Sequence, residues 1–397
     1  MHVAILGPMH TADLQPLLGG GDVPPLGYAG APFLATFAGA LLAQGHRLTL
    51  VTTDKDARLE RPRRLRGAVD LVVCPARRYG TLPNGLRPGK AFDFFAAERR
   101  HLRAALDEAA PDVVHAHWAY EFGLTAVDAG LPAVITVHDS PADVLRSDKT
   151  AYNALRYLMA RRCLRSGRRL AAVSPFIRDR VQASFGATPA CVLPNPLPLD
   201  VIDEVRAACG RFEAPTFVFV SNYWGRLKNP DVALAAFALA RRRFDGLRLL
   251  CVGRDFGPGG PGARWAARKG LDAGVQFVGA QSHRRTLELI AQASALLHTS
   301  RVESFGMAVA EAMALGTPAI VDARAGALPW LVDQGAAGVM TDTSSVDGLA
   351  QAMCRLLEDA DAAGALAGRA VARARALCAP AAIAGQAEAL YRSLGKA

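Results

Sequence analysis

The chain has 397 residues, of which 51% are hydrophobic and 21% charged. That composition excludes a disordered, collagen-like or coiled-coil protein and leaves room for two domains with sizeable cores. The formal charge is +10, with 24 basic against 17 acidic residues over 1–197 and 22 against 19 over the rest.

No apolar run reaches the roughly 18 residues that cross a bilayer. The opening Met1-His2-Val3-Ala4-Ile5-Leu6-Gly7 enters a strand pattern without the charged region and cleavage site of a secretory leader, so the cytoplasm is the expected compartment. Short Val/Leu-rich runs then predict strands at 2–6, 48–52, 70–73, 112–116, 133–137, 169–173 and 190–193. A second series follows at 216–221, 248–253, 275–278, 295–298, 318–321 and 338–341. Most are apolar throughout rather than alternating, as in parallel strands covered on both faces. Segments between them, such as 232–243 and 285–293, carry helical periodicity. The reading is α/β, with two Rossmann-like doubly wound parallel-sheet domains facing a cleft.

Leu193-Pro194-Asn195-Pro196-Leu197-Pro198 separates the two series, and three prolines in six residues suit a hinge. Residues 1–197 are expected to form the first domain and 198–379 the second. A helix at 380–397, set off by Pro380, should pack back on the first. The basic excess collects at Arg61-Pro62-Arg63-Arg64-Leu65-Arg66, Arg99-Arg100-His101-Leu102-Arg103 and Arg161-Arg162-Cys163-Leu164-Arg165. Such clusters suit phosphates or the acidic inner face of a membrane, at which the protein would be peripheral. The plainer alternative is Arg-rich solvated helix faces. No nucleic-acid partner is expected. Seven scattered cysteines without a Cys-x-x-Cys pair argue against a zinc knuckle or a disulfide framework.

The most informative stretch runs from Ala295 to Pro318. A buried strand leads into the polar Ser300-Arg301-Val302-Glu303-Ser304 loop. A helix then starts near Gly306 and stops at Gly316, with Pro318 beyond it. The helix is apolar all round except for Glu311, and a lone buried carboxylate demands a partner. A pair of ligand hydroxyls would serve; a neighbouring loop is the structural alternative. The amides of Phe305, Gly306, Met307 and Ala308 would emerge from the helix start, where the dipole favours a pyrophosphate.

Glu303 and Glu311 stand eight apart in Glu-Ser-Phe-Gly-Met-Ala-Val-Ala-Glu-Ala-Met-Ala-Leu-Gly-Thr-Pro. This resembles the Glu-x7-Glu signature of retaining glycosyltransferases of family 4, which have the GT-B fold. Gln44-Gly45-His46-Arg47, Asp112-Val113-Val114-His115-Ala116-His117-Trp118, Thr136-Val137-His138-Asp139, Leu193-Pro194-Asn195-Pro196 and Lys228-Asn229-Pro230 resemble further family motifs, so the likeness covers nearly the whole chain. It implies transfer of a sugar from a nucleotide-diphosphate sugar to a carbohydrate, lipid-linked or small-molecule hydroxyl, with no cofactor and no metal.

By the same resemblance His138, Lys228 and Glu303 would be catalytic. Lys228 would neutralise the leaving diphosphate, Glu303 would hold donor-sugar hydroxyls, and His138 would lie near that sugar from the first domain. Arg226, Ser304, Phe305, Gly306, Met307, Ala308 and Glu311 would bind donor, with Glu311 on the ribose. Gly27 and Gly30, in Gly27-Tyr28-Ala29-Gly30, are the nearest equivalent of the family's N-terminal phosphate or acceptor loop. An epimerase, a sugar phosphorylase or a non-catalytic binding subunit are the alternatives on the same fold. Two departures are visible: Asn222 or Tyr223 replaces the usual phosphate arginine, with Arg226 either the substitute charge or plain surface, and Trp330 stands where a glutamate is common.

Other patterns are weaker. Gly257-Pro258-Gly259-Gly260-Pro261-Gly262 matches Gly-x-Gly-x-x-Gly, but its prolines suggest a mobile loop rather than a dinucleotide fingerprint. His115 and His117, two apart at a strand end, are expected not to point the same way and to serve packing rather than a metal. Asp359-Ala360-Asp361 reads as solvated helix surface.

Overall fold

The structure is a computed structural model that describes residues 1–19, 24–77 and 89–394. The chain divides into two units, Met1–Pro196 with Pro380–Ala397, and Leu197–Ala379. Each is built on a sheet whose strands are the apolar runs of the sequence.

In unit 1 the strands are β1 (His2–Leu6), β2 (Arg47–Thr53), β3 (Arg63–Arg66), β4 (Asp70–Cys74), β5 (Val113–His117), β6 (Ala133–Val137), β7 (Arg169–Ala172) and β8 (Cys191–Val192). Their order is β3-β4-β2-β1-β5-β6-β7-β8, and every pairing is parallel except β3 with β4. β3 is a correction. The Arg61–Arg66 cluster is neither a helix face nor a gap in the sheet: its Arg63–Arg66 part is an antiparallel edge strand with only Leu65 half-buried. Its arginines are solvated, which is how an exposed edge is kept from pairing with another chain. The other two clusters do lie on helices, α1 being Phe33–Ala43, α2 Ala96–Ala109 and α3 Ala151–Leu164. Arg99 of α2 and Arg162 of α3 both pair with Asp128.

Unit 2 has β9 (Thr216–Val220), β10 (Arg248–Val252), β11 (Val275–Gly279), β12 (Ala295–His298), β13 (Ala319–Asp322) and β14 (Val339–Thr341), all parallel, in the order β11-β10-β9-β12-β13-β14. The helices used below are α4 (Pro230–Ala240), α5 (His283–Gln292), α6 (Met307–Leu315), α7 (Leu328–Leu331) and α8 (Ala360–Cys378). Phe217, Leu249, Leu297 and Ile320 from four strands pack with Phe237 of α4, all fully buried.

The chain then returns to unit 1 as α9 (Pro380–Leu394); residues 395–397 lie outside the described residues. Pro380 opens this helix and holds Ala379 extended (ψ 120°), which ends α8. α9 packs on α1, and its buried Tyr391 hydroxyl lies 2.6 Å from His115 Nδ1.

Both sheets reverse direction once. In unit 1 the chain steps outward through β2 and returns to β5 on the other side of β1; in unit 2 it steps out through β10 and β11 and returns to β12 beside β9. Ligands of open parallel sheets bind at the carboxyl ends of strands at such reversals. The loops to inspect follow β1 and β5, and β9 and β12.

Candidate functional site

In unit 2 the loop after β9 ends at Asn229, a left-handed residue (φ 54°) that precedes Pro230 at the start of α4. Its side-chain amide donates to Thr343 O (2.8 Å), and its Oδ1 accepts from Arg301 (3.0 Å). Thr299, just beyond β12, directs its hydroxyl at Lys228 O (2.8 Å) and Asn229 O (3.0 Å). The backbone on both sides of Lys228 is thereby tied to the neighbouring strand end.

The Lys228 ammonium pairs with Glu303 Oε1. The same oxygen lies 3.1 Å from His298 Nε2. A carboxylate only accepts, so this imidazole nitrogen donates. Burial pushes the Glu303 pKa up. The His298 hydrogen bond and charge, with the Lys228 charge and hydrogen bond, outweigh it and hold the carboxyl well below the usual range.

Gly306 caps α6 with φ 98°, and a Cβ there would meet Leu328 Cδ2 of α7 at 2.7 Å. The positive φ favours glycine, and any side chain there would also have to displace the Leu328 methyl. Gly306 offers no side-chain cap, and the first amides of a helix have no partner within it. Ser304, Met307 and Ala308 are half-buried around this helix start, while Phe305 is buried with its ring edge-on to Trp330 (6.2 Å). Glu311, on the next turn, is buried, and its Oε1 accepts from His283 Nε2 at 2.7 Å. Its protein partner is therefore the first residue of α5. Arg226 stands in the turn before Lys228, exposed and without a hydrogen bond or ion pair among the described residues.

At the reversal in unit 1 a cavity of about 290 Å³ is lined by Tyr28, Gly30, Lys55, Trp118, Glu121 and Arg156, among others. The Arg156 guanidinium lies 3.7 Å from the centre of the Tyr120 ring, and its buried Nε has no hydrogen-bond partner among the described residues. Tyr120 donates to Asp139 Oδ2 (3.0 Å), while Asp139 Oδ1 is also buried and unmatched there. Burial pushes the Asp139 and Glu121 carboxyls up, against the pull of Arg156.

Gly30 borders the cavity with open space where a Cβ would stand. Gly27 is different: it bridges to His10 with φ 102°, and a Cβ would sit 2.3 Å from Met9 O. Its glycine is required by the backbone.

His138 is buried, stacked on Trp118 (ring centres 4.1 Å apart), with Nε2 2.9 Å from His117 Nδ1. Burial, with the neighbouring His115, pulls the His138 pKa down to about 3, so this imidazole is neutral near pH 7. His115 and His117 do point the same way, with stacked rings 4.5 Å apart. Residues two apart on a strand share a face, which corrects the sequence expectation. His115 is also bonded to Thr136 (2.7 Å), and both rings serve packing. No group of three His, Cys, Asp or Glu able to hold a metal is found among the described residues.

The Gly257–Gly262 stretch is a hydrogen-bonded turn, Gly260 N to Gly257 O at 2.9 Å, and feeds directly into the helix Pro261–Lys269 rather than forming an open loop. Asp359 caps α8 by accepting from Ala362 N (2.9 Å). Among the described residues no helix is long and apolar enough to cross a membrane.

The structure thus brings Lys228, Glu303, Ser304 and the start of α6 together at one strand reversal, and places His138, Gly27 and Gly30 in the other unit. Sequence reasoning missed His298, His283, Lys55, Arg156, Glu121 and Asp139 as site neighbours. A histidine closing a buried strand was the available signal for His298. Arg156 was hidden in an Arg-rich helix.

Residues 31–201 match the family model described as Glycosyltransferase Family 4, and residues 201–374 match Glycosyl transferases group 1. The chain is 28% identical to a D-inositol 3-phosphate glycosyltransferase of Actinosynnema mirum, over 94% of this chain and 93% of that one. It is 31% identical to the protein of that name from Mycobacterium tuberculosis, over 66% of this chain and 57% of that one. Among solved structures, sucrose-phosphate synthase from Thermosynechococcus elongatus superposes with TM-score 0.80 at 20% identity, covering 100% and 99% of the two chains. A trehalose-6-phosphate protein of E. coli bound with UDP-2-fluoro glucose gives 0.72 at 11% identity, covering 100% and 99%.

Proposed function

Because the chain belongs to glycosyltransferase family 4 and has the GT-B fold, we propose that it moves a sugar from a nucleoside-diphosphate sugar to a hydroxyl of a phosphorylated polyol or sugar, with retention at the anomeric carbon and without a metal. The observation that carries the donor half is the reversal between β9 and β12. There a lysine, a helix start without a side-chain cap, the half-buried Glu303 and the buried Glu311 converge. In this reading the diphosphate draws the Lys228 ammonium away from Glu303. The lysine then meets charge that grows on the leaving phosphate, and the freed carboxylate accepts hydroxyls of the donor sugar. His298 keeps Glu303 aligned during that exchange. Arg226, exposed one turn away, supplements the phosphate charge, and Glu311 takes the ribose.

For the acceptor, unit 1 offers cations and a carboxylate in one small cavity. Lys55 and Arg156, whose Nε has no hydrogen-bond partner among the described residues, suit a phosphate, and Glu121 suits a ring hydroxyl, with Asp139 behind Tyr120 holding that ring through its hydroxyl. The name of the sequence relatives, D-inositol 3-phosphate glycosyltransferase, carries a phosphate and supports the same choice. Seven free cysteines support a reducing, cytoplasmic setting.

The test is a matrix of UDP- and GDP-sugars against inositol phosphates, hexose phosphates and their unphosphorylated forms, with and without EDTA. Products would be resolved by mass spectrometry and their anomeric configuration by NMR. One donor paired with a phosphorylated acceptor, an unchanged anomer and indifference to EDTA is the expected result. Equal turnover of unphosphorylated acceptors removes the phosphate assignment. Nucleotide binding without turnover of any pair favours a binding subunit, and sugar conversion without an acceptor an epimerase.

A further inference from the structure

The only acidic residue of α6, Glu311, is held by a side chain from another helix. His283 opens α5 after the Ser282 cap, and its Nε2 reaches Glu311 Oε1 at 2.7 Å. The carboxylate accepts, so Nε2 carries the hydrogen. Glu311 Oε2 makes no hydrogen bond among the described residues. One oxygen is fixed with a lone pair to spare, and the other is uncommitted. Two neighbouring acceptors in a set plane are what a vicinal diol needs, since its two hydroxyls can each donate to one oxygen. A glutamate without that anchor would have to freeze its rotamers on binding, and the lost side-chain entropy would weaken the contact.

We propose that His283 is a positioning residue for ribose selection: it presets the Glu311 carboxylate so that the protein prefers ribonucleotides over nucleotides lacking the diol. This rests on the ribose reading of Glu311. His283 does not touch the ligand in this account. Its side chain is about one-third exposed, whereas that of Glu311 is largely buried, so the histidine bridges from the surface of unit 2 to the interior carboxylate.

The experiment is isothermal titration of the full chain with UDP, GDP and their 2′,3′-dideoxy forms, with Tm measured alongside. Wild type, Glu311→Gln, His283→Ala and His283→Gln are compared. The wild type should prefer one ribonucleotide over its dideoxy form by roughly tenfold or more. Glu311→Gln should remove most of that preference. His283→Ala should cut it by roughly threefold or more while binding of the dideoxy form is unchanged, and His283→Gln, whose amide can still donate, should restore part of it. A purely structural pair would lower Tm and leave the preference intact; that result for His283→Ala overturns the proposal. If His283→Ala does not fold, an undiminished preference in His283→Phe overturns it equally. If Glu311→Gln itself keeps the full preference, or the wild type shows none, the ribose reading of Glu311 fails and the inference with it.

Discussion

At the β9/β12 reversal of unit 2 the ionisable groups other than the exposed Arg226 are already matched: Lys228 and His298 on Glu303, His283 on Glu311. At the β1/β5 reversal of unit 1 they are not. Arg156 Nε and Asp139 Oδ1 are buried without a hydrogen-bond partner among the described residues, and His115 and His138 in the same unit are neutral. The first arrangement satisfies its charges within the protein, so that a ligand there would have to exchange partners with them. The second leaves buried polar atoms unsatisfied, at the cost of local desolvation. On the proposed function, this contrast would make unit 2 the source of turnover and unit 1 the source of acceptor choice.

The sharpest way to break that contrast is Lys228→Ala. It should lower kcat by about 10²- to 10³-fold, with a much smaller rise in donor KM, in steady-state assays. Equal losses in both would make Lys228 a ground-state binder. Arg156→Gln comes next: acceptor KM should rise roughly tenfold or more with donor KM unmoved, and a change confined to the donor would cancel the assignment of unit 1. Gly27→Ala should cost about 1–3 kcal/mol of stability by denaturant titration, because the alanine must take φ 102° against Met9 O.

The smallest effect is in pH. His138 folds with a pKa of about 3 against an ordinary 6.5, so below that ordinary value the unfolded chain binds the extra proton and stability falls as pH drops, levelling near the folded value. Glu303, lowered from 4.5, adds no slope above that value and destabilises only further down. Tm measured from pH 7 to 5 should therefore decline less in His138→Phe than in wild type. An identical decline would remove His138 from the account.

Much of this was legible in the sequence, for a physical reason. Parallel strands buried on both faces must be apolar throughout, so β1, β6 and β12 announce themselves. Gly306, Glu311 and Gly316 likewise stand out against an apolar helix. β3 was hidden because an edge strand needs little burial, and Arg63-Arg64-Leu65-Arg66 carries only one half-buried side chain. The partners of the site were hidden too. His283 meets Glu311 across 28 residues and Lys228 meets Glu303 across 75, and no local pattern encodes such meetings. Tertiary packing alone brings them into contact.

The helix α9 completes unit 1, yet the ribosome delivers it only after the whole of unit 2. Until then the face of α1 that it covers stays open, and His115 lacks the buried Tyr391 hydroxyl. The nascent first half therefore waits, incomplete, while the second half is translated and free to fold. A chain that stops before Pro380 carries all eight strands of the first sheet but lacks the helix that covers α1 and the hydroxyl that meets His115.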